Sequence, residues 1–441
     1  MYCVLQIYPV DKVIAQHYSW EEFVEKISVD EYDDGEDMSP LLEELAGLHE
    51  HPFNLNTATK DDLEQLPFLD ADEIEEILAY VYRYGPMQSL GELMLIEELD
   101  YQTRQFLALF VYVENPVEEK EKLRLKTLLK GGRHEVTSRL DVPLYKRDGY
   151  QIPEDEVLLK NPNKVYLGNS LYHNIRYTYQ YRNRLFWGFT AEKDAGEPFG
   201  SYGNMAYDAY SFHFLLKDCG KLKALALGDY RVGFGEGLVV NSDFSLGKST
   251  LFNMGDTRPS IKKFSSTSET SFFRGMAVTF RFGKVDVSAF YSYLPTDATL
   301  RKDGTVSSLK TDGLHRTLLE LSKKHNVMEQ SAGADVTWNT EYFSLGATAF
   351  YQHFSRSFSK GTELYRQYYP EGKDFLNASL HYRWHRDRFS FSGETAFSNV
   401  YGGWATLNKA IYRFNHRYSV VALQRLFAYQ YVGLRANSFS E

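Results

Sequence analysis

From Gly132 onward the chain is written in a period of two. Between Arg274 and Tyr293, Met276, Val278, Phe280 and Phe282 alternate with Ala277, Thr279 and Arg281; Gly283-Lys284 turns the chain, and Val285, Val287, Ala289 and Tyr291 then alternate with Asp286 and Ser288. Successive side chains of a strand point to opposite faces, so this hairpin has one apolar face and one small or polar face. Tight joins recur at Arg182-Asn183-Arg184, Asp218-Cys219-Gly220, Asn339-Thr340, His385-Arg386-Asp387 and Asn415-His416. Long polar connections separate them, at 146–164, 195–205, 241–270, 295–330 and 356–373. The pattern predicts about thirteen strands, the last near 418–429, joined alternately by short turns and long loops.

Residues before 114 follow a helical period instead. Ser19 with Glu22 forms a capping box for a helix carrying Trp20, Phe23, Val24 and Ile27, and a second helix from about Ser39 carries Leu41, Leu42, Leu45 and Leu48. Thr59 caps a helix whose Leu63 and Leu66 face inward, and Pro67 ends it. A further helix is expected over Asp70–Tyr84, with Ile74, Ile77, Leu78 and Val81 on one side. Tyr84-Gly85-Pro86-Met87 then turns the chain, and helices follow over Ser89–Ile96 and Tyr101–Val113. Glu114 to Lys130 reads as a charged connector closed by Gly131-Gly132.

Charge separates the same two regions. Glu21 to Glu114 holds 25 Asp and Glu against 4 Lys and Arg, a balance of −21; the whole chain carries −10, so the remainder carries +11. Six of the acids crowd into Asp30–Asp37, which reads as a solvated link. Aromatics make up 15% of the chain, with 33 Tyr and 30 Phe, yet no run of 18 apolar residues exists. Many aromatics in strands without a hydrophobic run is how a transmembrane β-barrel reads, because lipid-facing and lumen-facing residues dilute each other. A soluble sandwich has no reason to alternate short turns with long loops. The aromatics that bracket the turns, Phe186-Trp187, Trp338 with Tyr342, and Trp384 with Phe389, stand where an interfacial girdle belongs. Cys3 and Cys219 are the only cysteines, which excludes a disulfide framework and a cysteine-based metal site.

The stretch from Phe53, with its Asn54-Leu55-Asn56-Thr57-Ala58 opening and its Tyr84-Gly85-Pro86-Met87 mid-turn, resembles the tandem helix-hairpin-helix domain of ComEA-type competence proteins over 53–113. That resemblance implies DNA binding through Gly-apolar-Gly turns whose bare backbone N–H groups approach a phosphate. This chain departs from it at both hairpins, with Phe68-Leu69-Asp70 at the first and Glu98-Leu99-Asp100 at the second. A carboxylate beside a phosphate is repulsive, and Lys60, Arg83 and Arg104 are too scattered to offset it. The hairpins are therefore expected to keep the fold and lose nucleic-acid binding, leaving an acidic platform for a basic protein partner.

In the β region, Gly228-Asp229-Tyr230-Arg231-Val232-Gly233-Phe234-Gly235-Glu236-Gly237 stands out. It could fold a loop into the lumen, but the expectation is a glycine-kinked strand with a lumen ion pair between Arg231 and Glu236. No nucleophile motif, metal-ligand spacing or phosphate loop is present, and His381 and His385 sit too far apart on a strand to share a metal. No cofactor and no catalytic residue are expected.

The expected fold class is α+β in two domains: a small all-α helix-hairpin-helix domain followed by an antiparallel transmembrane β-barrel. Residues 1–18 resemble the remnant of a secretion signal, 19–115 form the acidic domain, 116–131 the connector and 132–441 the barrel. Even strand numbers are usual for bacterial barrels, and 436–441 lack a terminal aromatic strand, so the sequence is expected to stop partway through a larger barrel. The arrangement resembles outer-membrane proteins of Bacteroidota-type bacteria. It implies a non-enzymatic role in interaction, assembly or transport, with the bilayer and a periplasmic or outer-membrane protein as partners. The competing expectation is a DNA-uptake component.

Overall fold

The computed structural model describes residues 19–29, 39–50, 52–63, 65–69, 71–114, 131–145, 147–151, 160–181, 184–203, 206–242, 260–340, 342–361, 363–386, 388–415 and 418–437. The signal-like segment 1–18, the acidic link, Asp70, the connector 115–130 and the last four residues lie outside them. The chain divides near Val117 into a helical unit and a β unit.

In the helical unit, α1 (Trp20–Val29) starts at the predicted capping box: the Ser19 amide donates to Glu22 Oε2 at 2.9 Å and the Glu22 amide to Ser19 Oγ at 3.3 Å. Helix α2 (Ser39–Glu50), a single turn α3 (Lys60–Leu63) and α4 (Ala71–Tyr84) follow. The Ser89–Ile96 helix is instead a 3-10 segment, Leu90–Leu95, and the last helix, α5 (Tyr101–Leu107), stops six residues early. The reason is tertiary, because Val111–Tyr112 (β2) must be extended to pair in parallel with Phe53–Asn54 (β1), and a helix cannot reach that partner. An aromatic core closes the unit: Phe23 packs edge-on to Phe68, Phe106 and Phe110, with centroids 4.9–5.8 Å apart.

The β unit is one antiparallel ribbon. Thirteen strands follow one another along it: β3 (Arg133–Asp141), β4 (Tyr172–Tyr181), β5 (Leu185–Lys193), β6 (Ala209–Cys219), β7 (Leu222–Gly233), β9 (Phe273–Phe282), β10 (Val285–Thr296), β13 (Val327–Asn339), β14 (Phe343–Phe358), β15 (Gly372–Arg386), β16 (Phe389–Ser398), β17 (Trp404–Asn415) and β18 (Tyr418–Phe427). Three short strands lie off this path, β8 (Ser260–Lys263) on β7 and the pair β11 (Ala298–Leu300) and β12 (Val306–Leu309) beside β14. The predicted hairpin 274–293 is β9–β10, in register Val285↔Phe282 to Ser292↔Gly275. Loop 295–330 carries more structure than its polarity suggests, namely β11, β12 and a short helix α6 (Leu318–Leu321). Short turns gather at one end of the ribbon and long connections at the other.

The two faces of this wall are inverted relative to a soluble sheet. On β13 to β16 the buried positions include many polar side chains, Glu329, Ser331, Asp335, Thr337, Thr348, Gln352, Asn377, Ser379, His381, Ser392 and Glu394, beside the aromatic Phe350, Phe354 and Phe375. Their neighbours on the opposite face, Val336, Trp338, Leu345, Leu376, Leu380 and Phe397, are exposed, Leu380 at 62% and Phe397 at 52%. Water gives no reason to bury carboxylates while exposing leucines; a hydrocarbon surrounding does. Trp338, Tyr342 and Trp384 lie on the outer face at the short-turn end, with Trp384 5.4 Å from Phe389. Among the described residues the outer edges of β3 and β18 pair with no further strand.

Placing a charge on the outer face is expected to cost far more than removing a polar group from the inner one. Leu380→Arg should destabilise the protein in lipid vesicles by about 2–4 kcal/mol where it meets the bilayer midplane, and Ser392→Ala by about 1 kcal/mol or less. Urea unfolding from vesicles measures both; equal costs would mean that the outer face does not meet lipid.

Candidate functional site

Beyond β7 the glycine-rich run departs from the predicted kinked strand. Gly228 to Gly233 do belong to β7, but 234–241 leaves the wall and folds onto the inner face as a closed turn, with the Phe234 amide donating to the Val240 carbonyl at 3.2 Å and the Gly237 amide to that of Phe234 at 3.2 Å. Phe234, Leu238, Val239 and Val240 pack on inward side chains from both halves of the ribbon: Phe186, Leu215, Phe273, Phe290 and Phe350, and also Ala396, Ala405 and Leu407. The ribbon thus curls around a segment of its own chain, and the interior is filled.

One carboxylate pins that turn. Glu394 on β16 is fully buried, and its Oε2 accepts the amides of Glu236 at 2.7 Å and Leu238 at 3.0 Å. A buried carboxylate needs donors, and the turn supplies two backbone N–H groups in place of water. Gly235 makes the approach possible, since it has φ +61° and a Cβ there would lie 2.7 Å from the Glu394 carboxylate. Among the described residues no ion pair between Arg231 and Glu236 is seen. Arg231 stays on β7 with its guanidinium 5.3 Å from the centre of the Phe264 ring, while the glycine turn carries the Glu236 backbone to Glu394.

The segment after β18 enters the same interior. Arg435 donates to Glu329 through Nη2 at 2.6 Å and Nε at 3.2 Å, and to the Thr270 carbonyl at 3.0 Å. Tyr431 donates to the Leu238 carbonyl at 2.6 Å, Asn377 to the Val432 carbonyl at 2.8 Å, and the Asn437 amide to the Gly237 carbonyl at 3.1 Å. Across the wall beside it, His381 shares a hydrogen bond with Asp335 at 2.9 Å. Its ring lies over Gly346, where any Cβ would collide with it.

At the long-loop end, the β5–β6 and β10–β13 connections are tied by one histidine. His315 Nδ1 meets Asp208 at 2.6 Å, its Nε2 meets Asp297 at 2.5 Å, and its amide donates to Glu197 at 2.8 Å. Lys324 donates to Asp208 at 2.7 Å, and the Asp194 amide to Glu197 at 2.9 Å. Burial opposes a charged imidazole, but the hydrogen bonds and charges of Asp208 and Asp297 outweigh it and raise His315 to about 9. Burial also opposes ionised Asp208, yet the bonds from His315 and Lys324 hold it down to about 2. Glu197 moves the other way, to about 7, through burial first and then the charge of Asp208. Ligand atoms of Glu197, Asp208 and His315 lie within 4.8 Å of one another, close enough for a metal, but each is already engaged by a protein partner. Sequence gave no signal for this knot, since Glu197 and His315 are 118 positions apart on different loops.

The hairpin-turn residues sit in the helical unit, away from both of these places in the chain. Phe68 and Leu69 face inward, Phe68 against Phe23 and Phe106 and Leu69 at 4% exposure, whereas Glu98 is exposed. Leu99 is buried. Asp100 caps α5, its Oδ1 accepting the Thr103 amide at 2.6 Å, so the N–H that a phosphate would take is already occupied by a carboxylate. Asp70 lies outside the described residues.

No family model and no curated protein matches the chain. Among solved structures it is similar to Salmonella typhi OmpF in complex with daunomycin, at 12% identity and a TM-score of 0.28 over 68% of this chain and 92% of that one. A mutant of the Rh. blastica porin is similar at 12% identity and a TM-score of 0.21, over 58% and 85%. Likenesses this slight carry no weight here; the fold rests on the strand pairing.

Gly235→Ala is expected to free the interior turn, with strain of about 1–3 kcal/mol from the left-handed backbone alone. The readout is new protease cleavage between Phe234 and Asn241 together with a lower temperature for loss of the compact gel form; an unchanged pattern refutes the pinning by Glu394. The loop knot should depend on pH with a definite sign. His315 titrates higher folded (about 9) than unfolded, so its contribution is complete below about pH 6.5 and is lost as pH rises through 9. Glu197, also raised, weakens the knot as it ionises through about 7, while Asp208, held near 2, keeps its contribution until strong acid. Protease nicking of loop 297–326 should therefore rise between pH 6.5 and 9.5, and His315→Gln should flatten that rise.

Proposed function

We propose that this chain is a β-barrel protein of the Gram-negative outer membrane, carrying on its periplasmic side a degenerate helix-hairpin-helix adaptor that docks a protein partner. It works in binding, assembly or transport rather than in catalysis. The observation that carries this reading is the inverted wall, with Leu380 and Phe397 outside and Asp335, His381 and Glu394 inside. Strand register supports the orientation: Arg133 opens β3 opposite Gln180, at the short-turn end, so the chain from the helical unit arrives at the end that faces the periplasm in such barrels. The filled interior speaks against an open diffusion pore.

Two features support a protein, rather than a nucleic acid, as the adaptor's partner. Its charge balance of −21 over 21–114 repels phosphate, and the α5 N-terminus is capped by Asp100. Tyr82, Tyr84, Met94, Leu95 and Tyr101 are exposed on the same unit, near Glu97, Glu98 and Asp100 in sequence. Exposed apolar side chains among acids suit a partner surface that is basic and partly apolar.

Fractionation of cells with separated membranes, followed by gels of unheated and heated samples, tests the main reading: the protein should band with the outer membrane and shift mobility on heating. Recovery in a soluble fraction overturns it. Mobility-shift titration of the full chain with duplex DNA at physiological salt should show no complex up to about 10 μM, a concentration within the range of ordinary non-specific affinity. A micromolar complex would overturn the protein-docking role and favour DNA uptake.

A further inference from the structure

Next to the His315 knot, between the long-loop ends of β5, β6, β9 and β10, lies a cavity of about 150 Å³. Oxygen-bearing side chains enter its wall from Thr190 on β5, Ser211 on β6, and Ser266 and Glu269 in the segment leading into β9, beside the apolar Phe272, Leu294 and Pro295. Most charged groups around it are already paired. Arg274 is held by Asp229 through two bonds of 2.6 and 2.9 Å, and Asp208 is tied to His315 and Lys324.

Two features are not accounted for by that pairing. Thr190 is 3% exposed, yet its hydroxyl has no hydrogen-bond partner among the described residues, and the same holds for the hydroxyl of Ser211. A buried hydroxyl without a partner carries a desolvation penalty that a bound ligand would remove. Glu269 faces the same cavity with no ion pair or hydrogen bond among the described residues, and Gly313 backs it, so that a Cβ there would lie 3.0 Å from Glu269 Oε2. Burial, then the charges of Glu197 and Asp208, push its carboxyl well above the usual carboxylate range while no cation is bound.

We propose that this cavity binds a divalent cation of the calcium type, with the Glu269 carboxylate as its charged ligand and the hydroxyls of Thr190 and Ser211 as neutral ones. Carboxylate and hydroxyl oxygens select hard cations over zinc or copper, and calcium accepts six to eight such donors with water completing the shell. The space is enough for an ion with several waters, each of which takes about 30 Å³ in the liquid. An ion there would bridge β5, β6 and the 260–272 segment and lock the loop end independently of the His315 knot.

The test uses the full-length protein folded in detergent, with terbium as the luminescent stand-in and calcium as competitor. Tyr210 lines the cavity and serves as the antenna. Terbium emission on tyrosine excitation should appear and be displaced by calcium with a Kd of about 0.1–1 mM, the range of extracellular modules. Glu269→Gln should weaken binding at least tenfold and Thr190→Val severalfold, with heat-modifiable gel mobility verifying that both variants fold. Absence of emission from folded protein overturns the proposal and leaves a water-filled cavity; emission that survives undiminished in folded Glu269→Gln also overturns it, by placing the ion elsewhere.

Discussion

On the membrane reading proposed above, the backbone of the β unit is surrounded by hydrocarbon with no water to satisfy its N–H and C=O groups, and the strand pairing and face pattern follow from that constraint. Pairing along the ribbon meets it for the eleven path strands between β3 and β18, each of which is bonded on both sides, while β8 and β11 each pair on one side. Side-chain chemistry then inverts: Val336, Leu380 and Phe397 go outward, where apolar contact costs nothing, and Asp335, His381 and Glu394 go inward, where partners exist. Once the outside is fixed as apolar, the inside must satisfy its own polar groups, and that demand organises the interior.

The interior meets it with backbone as much as with side chains. Glu394 takes two amides from the 234–241 turn, and Glu329 takes the guanidinium of Arg435. These contacts join positions about 100 to 160 apart in sequence, so the wall and its filling stabilise each other. Glycine is the enabling residue at the first of them and at a further contact: Gly235 lets the turn approach Glu394, and Gly346 gives the His381 ring room to reach Asp335.

The helical unit obeys ordinary aqueous rules by comparison. Its aromatic core around Phe23 is buried, Glu97, Glu98 and Asp100 are exposed, and α1 and α5 are capped by Ser19 and Asp100. Phe68 has a packing role, since its ring completes the cluster with Phe106 and Phe110.

Period-two alternation was enough to set the strands, the thirteen-step ribbon, the sorting of short turns from long loops and the inverted faces, because each depends on near neighbours in the chain. Helical period and caps likewise set α1 and α4. Tertiary structure alone decided that α5 stops at Leu107, where β2 must reach β1, and that 234–241 leaves the wall for Glu394. It alone brought His315 between Asp208 and Asp297, and Thr190 and Glu269 to the wall of one cavity. Those groups come from separate loops and strands with no common spacing, and their meeting is fixed by ribbon curvature and by the search of buried charges for partners, neither of which leaves a local trace in sequence.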